Sequence, residues 1–213
     1  VMHYTHNIRT LALVGQGMAG KTTLSEALLH KAGAIASPGS VDRGTTVSDF
    51  EALEKSYKHS LRASLLHFKH GDAFIHLIDT PGYAAFVSHA RPALRVADCA
   101  LVVVDGVHGI EVQTEKTWQY ANEFMLPRFM VINKIDKQKD PATLLPLIEE
   151  SRAKMNFAEI IPVSARNGAG VDDLGGTIRR YLPAHPPHYP ADQLSDRSDR
   201  FMAAELVREQ IFR

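Results

Sequence analysis

The segment Gly15–Thr23 reads Gly-Gln-Gly-Met-Ala-Gly-Lys-Thr-Thr and directly follows the apolar run Leu11–Val14. It matches the pattern G-x-x-x-x-G-K-[ST], in which a glycine-rich turn joins a strand to the N-terminus of a helix. Backbone N–H groups of such a turn face inward, and the helix N-terminus adds partial positive charge, so the turn can bind a polyphosphate. The motif therefore requires a buried strand before it and a helix after it. The alternative interpretation is an ordinary glycine turn between a strand and a helix.

Each residue type in this phosphate loop has a physical reason. Gly15, Gly17 and Gly20 lack a Cβ and allow the backbone to approach a phosphate closely. Lys21 is expected to reach the outer phosphates, and the Thr22 hydroxyl is expected to coordinate Mg²⁺. The candidate nucleotide-binding residues of the loop are Gly15, Gly17, Met18, Ala19, Gly20, Lys21, Thr22 and Thr23.

A second motif, Asp79-Thr80-Pro81-Gly82, follows an apolar strand pattern that ends at Ile78. An aspartate at the carboxyl end of a strand, facing the phosphate loop, can hold Mg²⁺ through water. The Gly82 N–H can donate to a γ-phosphate because no side chain is in the way. Asp-x-Pro-Gly is by itself a common turn, so its position downstream of a phosphate loop is what indicates this role.

A third motif, Asn133-Lys134-Ile135-Asp136, follows the apolar run that ends at Ile132. Guanine presents a ring N–H beside an exocyclic amine, and one carboxylate, that of Asp136, can accept from both, which adenine does not allow. Lys134 is expected to lie along the base, and Asn133 is expected to tie the loops together. Ser164-Ala165-Arg166, after a further short strand, is expected to place the Ala165 N–H on the guanine carbonyl. Four residues alone could be a solvated turn, but the order of the motifs predicts GTP rather than ATP.

Hydrophobic periodicity predicts the remaining elements. The segment from Ala34 to about Ser60 is expected to be a long mobile loop of the kind that a γ-phosphate and Mg²⁺ order. Strands are predicted at residues 11–14, 61–68, 73–78, 99–104, 128–132 and 159–163, and helices at 21–31, 86–94, 111–124, 143–155 and 171–182. A Pro-rich linker is predicted for residues 183–197 and a helix for 198–213. The apolar stripe of this last helix either packs back on the domain or anchors a further domain.

Composition excludes several classes of protein. The 24 basic and 24 acidic residues cancel, so no overall field draws the chain onto nucleic acid or an anionic membrane. The single cysteine, Cys99, excludes an internal disulfide framework, and no apolar run has the length of a membrane helix. Residues 1–6 lack the pattern of a signal peptide, and the eleven histidines lack metal-ligand spacing. A cytoplasmic protein that does not bind membranes is the expectation.

Residues 10–136 resemble the nucleotide-binding domain of elongation factor G, and most closely that of its elongation factor G-like relatives. The segments that carry this resemblance are Gly15–Thr23, Gly44–Phe50, Asp79–Tyr83, Arg95–Asp98 and Val112–Glu115. Residues 137–213 instead resemble Era, the ribosome-assembly GTPase. The segments that carry this second resemblance are Met155–Phe157, Ile161–Ala165, Tyr189–Asp192 and Asp196–Glu205. The changeover lies at the base-reading motif, which predicts a recombined or designed chimera.

The resemblance to this translation-factor class of GTPases implies a Ras-like P-loop α/β domain over residues 1–182. Its sheet is expected to have six mostly parallel strands with helices on both faces, followed by the linker and the C-terminal helix. The base contacts carried over are Asn133, Lys134, Asp136, Ser164, Ala165 and Arg166. The magnesium ligands carried over are Thr22, Asp79 and, in the mobile loop, Ser60, with Thr46 as the second choice.

The resemblance also assigns catalytic roles to Lys21, Gly82 and Tyr83. Elongation factors place a His directly after Asp-x-x-Gly to orient the attacking water, whereas this chain has Tyr83, whose phenol is a poor base near neutral pH. Elongation factor G has Asp, and Era typically has Asn, at the fourth loop position, where Met18 offers only a thioether. Slow hydrolysis with little dependence on potassium is the expectation.

These motifs together predict a GTP-binding protein that hydrolyses GTP slowly to GDP and phosphate with Mg²⁺ as cofactor. The alternatives are a guanine-nucleotide binding module and a designed chimeric fold, neither with meaningful turnover. The guanine nucleotide itself is the partner that the motifs predict. The ribosome or ribosomal RNA is implied only by the resemblance, because the further domains of elongation factor G and the RNA-binding KH domain of Era are not in this sequence.

Overall fold

A computed structural model describes residues 8–71, 73–138 and 140–181, together with residues 203 and 207. Within the described chain, strands and helices alternate for most of its length. The strands are β1 (Ile8–Val14), β2 (Ser64–His70), β3 (Ala73–Asp79), β4 (Cys99–Asp105), β5 (Arg128–Asn133) and β6 (Ile160–Pro162). The helices are α1 (Lys21–Lys31), α2 (Ala52–Tyr57), α3 (Ala90–Arg95), α4 (Val112–Glu123), α5 (Leu144–Lys154) and α6 (Val171–Tyr181). In the described ranges, 3₁₀ segments cover Ala84–His89, Ile135–Lys137 and Pro141–Thr143.

The strands form one six-stranded sheet in the order β2-β3-β1-β4-β5-β6. Every pairing is parallel except that of β2 with β3, which is antiparallel. All seven residues of the central strand β4 are buried, as expected for a strand covered by helices on both faces. The predicted α/β fold with a mostly parallel six-stranded sheet is confirmed.

Helices cover both faces of the sheet. Side chains from one face of β1, including Leu11 and Leu13, pack with α1 and α6 in one buried cluster. Ala12 and Val14 point to the other face and pack with α3, α4 and α5 in a second cluster. This alternation follows from the period of two along a strand, and it holds the strand ends, and the loops that follow them, in fixed positions.

The segment predicted as one long loop contains the short helix α2. A capping box begins it, with the Glu51 and Glu54 side chains each accepting from a backbone N–H at the other end of the first turn. The Glu54 carboxylate also accepts from the N–H groups of Leu61 and Arg62. Because these two N–H groups donate to a side chain of α2, they do not donate to β3. Strand β2 therefore begins at Ser64 and not at residue 61.

Two other predictions differ from the structure or lie outside it. The helix predicted at 86–94 is a 3₁₀ segment followed by α3, with the boundary between His89 and Ala90. The linker at 183–197 lies outside the described residues, and of the C-terminal helix only Ala203 and Val207 are described, both helical and exposed. None of the helices in the described ranges combines the length and the apolar character needed to cross a bilayer.

Candidate functional site

The three predicted motifs meet at the carboxyl edge of the sheet. The phosphate loop follows β1, Thr80 follows β3, and Lys134 follows β5, and parallel neighbours in a sheet end on the same side. A cavity of about 250 Å³ opens between them. The residues that line it include Gly17, Gly20, Lys21, Thr22, Thr23, Asp49, His59, Ser60, Gly82, Tyr83 and Lys134.

Two glycines of the phosphate loop are required by its backbone. Gly15 has φ +130° and Gly20 has φ +89°, values that L-residues with side chains rarely adopt. A Cβ at Gly15 would also meet the carbonyl of Val103, and one at Gly20 would meet the Asn133 side-chain amide. Met18 adopts a left-handed conformation as well, with φ 58°, and its side chain is 76% exposed.

Lys21 lies folded into the loop that it follows. Its ammonium donates to the carbonyl oxygens of Gly15, at 3.0 Å, and Gln16, at 2.7 Å. Burial lowers the pKa of Lys21 to about 8, although the negative charge of Asp79 acts in the opposite direction. A buried ammonium with only carbonyl partners is a favourable site for an anion.

A chain of hydroxyl and carboxylate oxygens lies beside Lys21. The Thr22 hydroxyl donates to Asp79 at 2.8 Å and lies 3.2 Å from the Ser60 hydroxyl. Ser60 donates in turn to Asp49 at 2.7 Å. Of the two hydroxyls predicted as alternatives, Ser60 contacts Thr22, whereas the buried Thr46 hydroxyl makes no hydrogen bond within the described chain. The geometry thus favours Ser60.

Several oxygens in this cluster are buried without a hydrogen-bond partner among the described residues. They are Thr46 Oγ1, Ser48 Oγ, Asp49 Oδ2 and Asp79 Oδ1. The Thr46 hydroxyl lies near enough to Asp49, and the Ser48 hydroxyl near enough to Asp79, to lower the pKa of that carboxyl group. Neither hydroxyl reaches hydrogen-bonding geometry. Unpaired buried acceptors are costly, and a hard cation is the group that satisfies them.

Burial raises the pKa of both carboxyl groups in the cluster. The pKa of Asp79 rises to about 6 because the group is fully buried, although its hydrogen bond from Thr22 and the charge of Lys21 oppose the rise. The pKa of Asp49 is also raised, first by burial. In the described ranges, no three His, Cys, Asp or Glu side chains converge as a metal site. The donors here fit Mg²⁺, which needs few carboxylates because it retains waters and binds phosphate oxygens.

Gly82 and Tyr83 lie against the phosphate loop. A Cβ added to Gly82 would meet the Lys21 ammonium and the Gln16 carbonyl, so this backbone lies directly on the loop. The ring of Tyr83 is within 3.4 Å of where a Cβ on Gly17 would be, and its side chain is partly exposed. The three residues predicted to be catalytic, Lys21, Gly82 and Tyr83, are therefore adjacent.

The base-reading residues are linked through Asn133. Its amide donates to the Ala19 carbonyl at 2.9 Å, and its Oδ1 accepts from the Ala165 N–H at 3.0 Å. This confirms the prediction that Asn133 ties the loops together. A guanine carbonyl would share the Ala165 N–H with Asn133 or replace Asn133 as its acceptor.

The other predicted base contacts lie around this link. Asp136 is exposed, and its Oδ1 accepts from the Ser164 hydroxyl at 2.6 Å, which orients the carboxylate. Lys134 adopts φ 67° and donates to Asp105 at 2.7 Å. Burial tends to raise the pKa of Asp105, but hydrogen bonds, the strongest from Lys134, lower it overall. Arg166 is exposed.

Four polar residues that shape this site lie outside the roles expected from the motifs. Asp49 belongs to the oxygen cluster, and Asp105 holds Lys134. The Gln16 side chain accepts from Thr114 and donates to the Gly109 carbonyl. Glu26 of α1 accepts from the N–H groups of residues 39 and 47. All four are acidic or amide side chains that the fold buries, and the burial of a single polar side chain is not visible in the sequence.

Comparison with known proteins agrees with the motifs. Residues 6–184 match the family described as the elongation factor Tu GTP binding domain. An elongation factor G-like protein of Mycobacterium tuberculosis is 42% identical over 129 residues, which are 61% of this chain and 18% of that protein. The GTPase Era of Xylella fastidiosa is 34% identical over 212 residues, which cover 95% of this chain and 65% of that protein.

A solved structure extends the comparison. An Era variant from Aquifex aeolicus, in a crystal structure bound to GDP·AlF4⁻, has a TM-score of 0.67 and 31% identity, covering 95% of this chain and 66% of that one. The similarity to Era thus reaches beyond the C-terminal residues in which its motifs are recognisable. This chain spans less than two thirds of the length of either curated relative.

Proposed function

The chain belongs to the elongation factor Tu GTP-binding domain family, and on that premise we propose that it hydrolyses GTP slowly, in the presence of Mg²⁺, to GDP and phosphate. One observation supports hydrolysis above all: Thr22, Ser60 and Asp79 are joined by hydrogen bonds beside the buried ammonium of Lys21. Phosphoryl transfer requires a cationic side chain and metal ligands close together beside the phosphates.

In this proposal each group has one task. Lys21 and the N–H groups of the loop hold the outer phosphates, and the Gly82 N–H donates to the γ-phosphate. Thr22, Ser60 and Asp79 would hold Mg²⁺, with Asp49 supporting Ser60. When bound, the ion neutralises charge on the phosphate oxygens.

The decisive experiment compares nucleotide binding with turnover. The purified protein is titrated with fluorescent GDP, GTP and ATP analogues, and phosphate release from GTP is followed with MgCl₂ or with EDTA. We expect binding of guanine nucleotides only and phosphate release that requires Mg²⁺. Binding without phosphate release above that of GTP alone would instead identify the chain as a guanine-nucleotide binding module, the second candidate.

Slow turnover is predicted from position 83. Tyr83 cannot take the role of the water-orienting His, so we expect a rate of about 10⁻⁴ to 10⁻² s⁻¹, which is typical of phosphate-loop GTPases without an activator. Tyr83→His is expected to raise the rate about a hundredfold, at the lower end of general acid–base effects. Single-turnover phosphate release measures this change. Ala85→His, which adds an imidazole at an exposed position two residues away, is the matched control.

Potassium dependence is a separate prediction. Met18 has no oxygen with which to hold a monovalent cation beside the phosphates, and its side chain is directed to solvent. We expect rates in KCl and NaCl at equal ionic strength to agree within about twofold, because the side chain at position 18 cannot hold either ion where it would stabilise charge in the transition state. A strong acceleration by potassium would contradict this account of position 18.

Other parts of the proposal depend on the relatives. The name of the elongation factor G-like relative suggests a role in translation, but the match to it covers only 18% of that protein. We propose the guanine nucleotide as the partner of the described domain and a cytoplasmic location. We also retain the hypothesis that the elongation factor G-like and Era-like parts have been recombined.

A further inference from the structure

His59 lies at the centre of an aromatic group beside the phosphate-loop cavity. Its ring centroid is 4.5 Å from that of Tyr83, 5.9 Å from that of Tyr57 and 6.3 Å from that of Phe86. Aromatic pairs at these separations attract one another beyond their burial alone. The imidazole of His59 is half-buried and packs among these rings.

This imidazole belongs to the same cavity as the groups assigned to the outer phosphates. His59 lines the cavity together with Lys21 and Gly82. It also directly precedes Ser60, whose hydroxyl lies 3.2 Å from that of Thr22. A loop movement that brings Ser60 onto a metal would carry His59 with it, because the two residues are consecutive. His59 is thus the imidazole nearest in sequence to the predicted magnesium ligands.

One hydrogen bond determines which ring nitrogen of His59 is available. Nδ1 lies 3.3 Å from the Ser60 carbonyl oxygen. A carbonyl can only accept, so Nδ1 carries the proton in this contact and the neutral ring has its free lone pair on Nε2. This nitrogen can accept a hydrogen bond from water in the cavity. The neighbouring Tyr83 presents a phenol, which is a weaker acceptor than an imidazole nitrogen.

We propose that His59 is a catalytic residue that holds the attacking water through Nε2; it only partly takes over the role of the His that Tyr83 replaces, so turnover stays slow, and the inference rests on the proposed GTP hydrolysis. The water oxygen bonds to the γ-phosphorus as the bond from that phosphorus to the β–γ bridging oxygen breaks. GDP leaves with the electron pair of that bond. Of the two protons of the water, one remains on inorganic phosphate and the other passes to solvent.

Three substitutions separate this role from packing. His59→Phe keeps a ring against Tyr83 but has no lone pair, and His59→Ala removes both. His59→Gln restores a side chain that can accept from water without an aromatic ring. His89→Ala is the matched control, because this exposed histidine lies in the 3₁₀ segment after Tyr83. Single-turnover phosphate release and the affinity for fluorescent GDP are measured for each variant, with thermal unfolding to compare folding.

The expected result is a specific loss of turnover. His59→Phe and His59→Ala should lower the single-turnover rate at least tenfold while the affinity for GDP stays within threefold of the wild type. His59→Gln should recover part of the rate, and His89→Ala should match the wild type. If His59→Phe turns over as fast as an active wild type, the proposal for His59 is overturned and GTP hydrolysis stands. If the wild type releases no phosphate, the proposed function itself fails, and this inference with it.

Discussion

Asp136→Asn is expected to lower affinity for GTP by about 10²- to 10⁴-fold, since two hydrogen bonds to a charged acceptor contribute about 1.5 to 3 kcal/mol each. The carboxylate is exposed and oriented by Ser164, so both oxygens retain lone pairs for the guanine ring N–H and amine. An amide can accept from only one of these donors and places an N–H opposite the other.

The same substitution is expected to raise affinity for xanthosine triphosphate. Xanthine has a carbonyl where guanine has the exocyclic amine, and the Asn amide can donate to that carbonyl while it accepts from the ring N–H. Competition titrations with GTP, xanthosine triphosphate and ATP measure the switch. Asp173→Asn, on the exposed first turn of α6, is the control for loss of one negative charge. Equal affinity of the wild type for ATP and GTP would show that the base-reading assignment is wrong.

Asp79→Asn is expected to stabilise the nucleotide-free protein at neutral pH by about 3 kcal/mol, because one pKa unit corresponds to about 1.4 kcal/mol. The pKa of Asp79 is raised from 3.8 to about 6, first by burial. This pKa of about 6 already includes the effect of the positive charge of Lys21, which opposes the rise. Between these pH values the folded state binds the proton more tightly than the unfolded state, so stability falls as pH rises through this interval. An Asn side chain has no charge to desolvate and avoids this cost.

The stability gain should therefore depend on pH in a defined direction. It should vanish below about pH 3, where Asp79 is protonated in both the folded and the unfolded state, and should reach its full size above about pH 7. Urea unfolding of the wild type and of Asp79→Asn across this range measures it, again with Asp173→Asn as the control. The same variant should lose the dependence of nucleotide binding on Mg²⁺. Destabilisation at neutral pH, or unchanged binding of Mg·GTP, would contradict the assignment.

The carboxylates of Asp136 and Asp79 differ in their exposure to solvent and therefore in their electrostatic cost. Asp136 is exposed and meets its ligand without a large electrostatic cost, whereas Asp79 and Lys21 are buried with their pKa values displaced toward neutral forms. The phosphate side of the site is thus electrostatically costly in the protein alone. Binding of an anion and a divalent ion would supply the missing charges, so stability is expected to increase with ligand by linkage. This is the trade-off between stability and function that is common at active sites.

Much of the site could be predicted from the sequence because its three motifs are local. A strand, a glycine turn and a helix N-terminus are consecutive in Gly15–Thr23, so the spacing alone indicates the geometry of the phosphate loop. Asn133 and Asp136 directly follow a buried strand, and parallel strands bring such ends to one edge. The prediction that Asn133 ties the loops together needed only this topology. The sheet itself followed from apolar runs such as that of β4.

The tertiary structure alone decided how residues 34–63 meet these motifs. Glu26 of α1 accepts from two backbone N–H groups of this segment, and Glu54 holds Leu61 and Arg62. These long-range and medium-range hydrogen bonds bring Asp49, His59 and Ser60 to the cavity. No periodicity marks such contacts, because each depends on a single buried carboxylate and not on a repeated pattern. The sequence by itself therefore determined the sheet, the phosphate loop and the base-reading motif, whereas only the folded chain determined which oxygens and which imidazole face the phosphates.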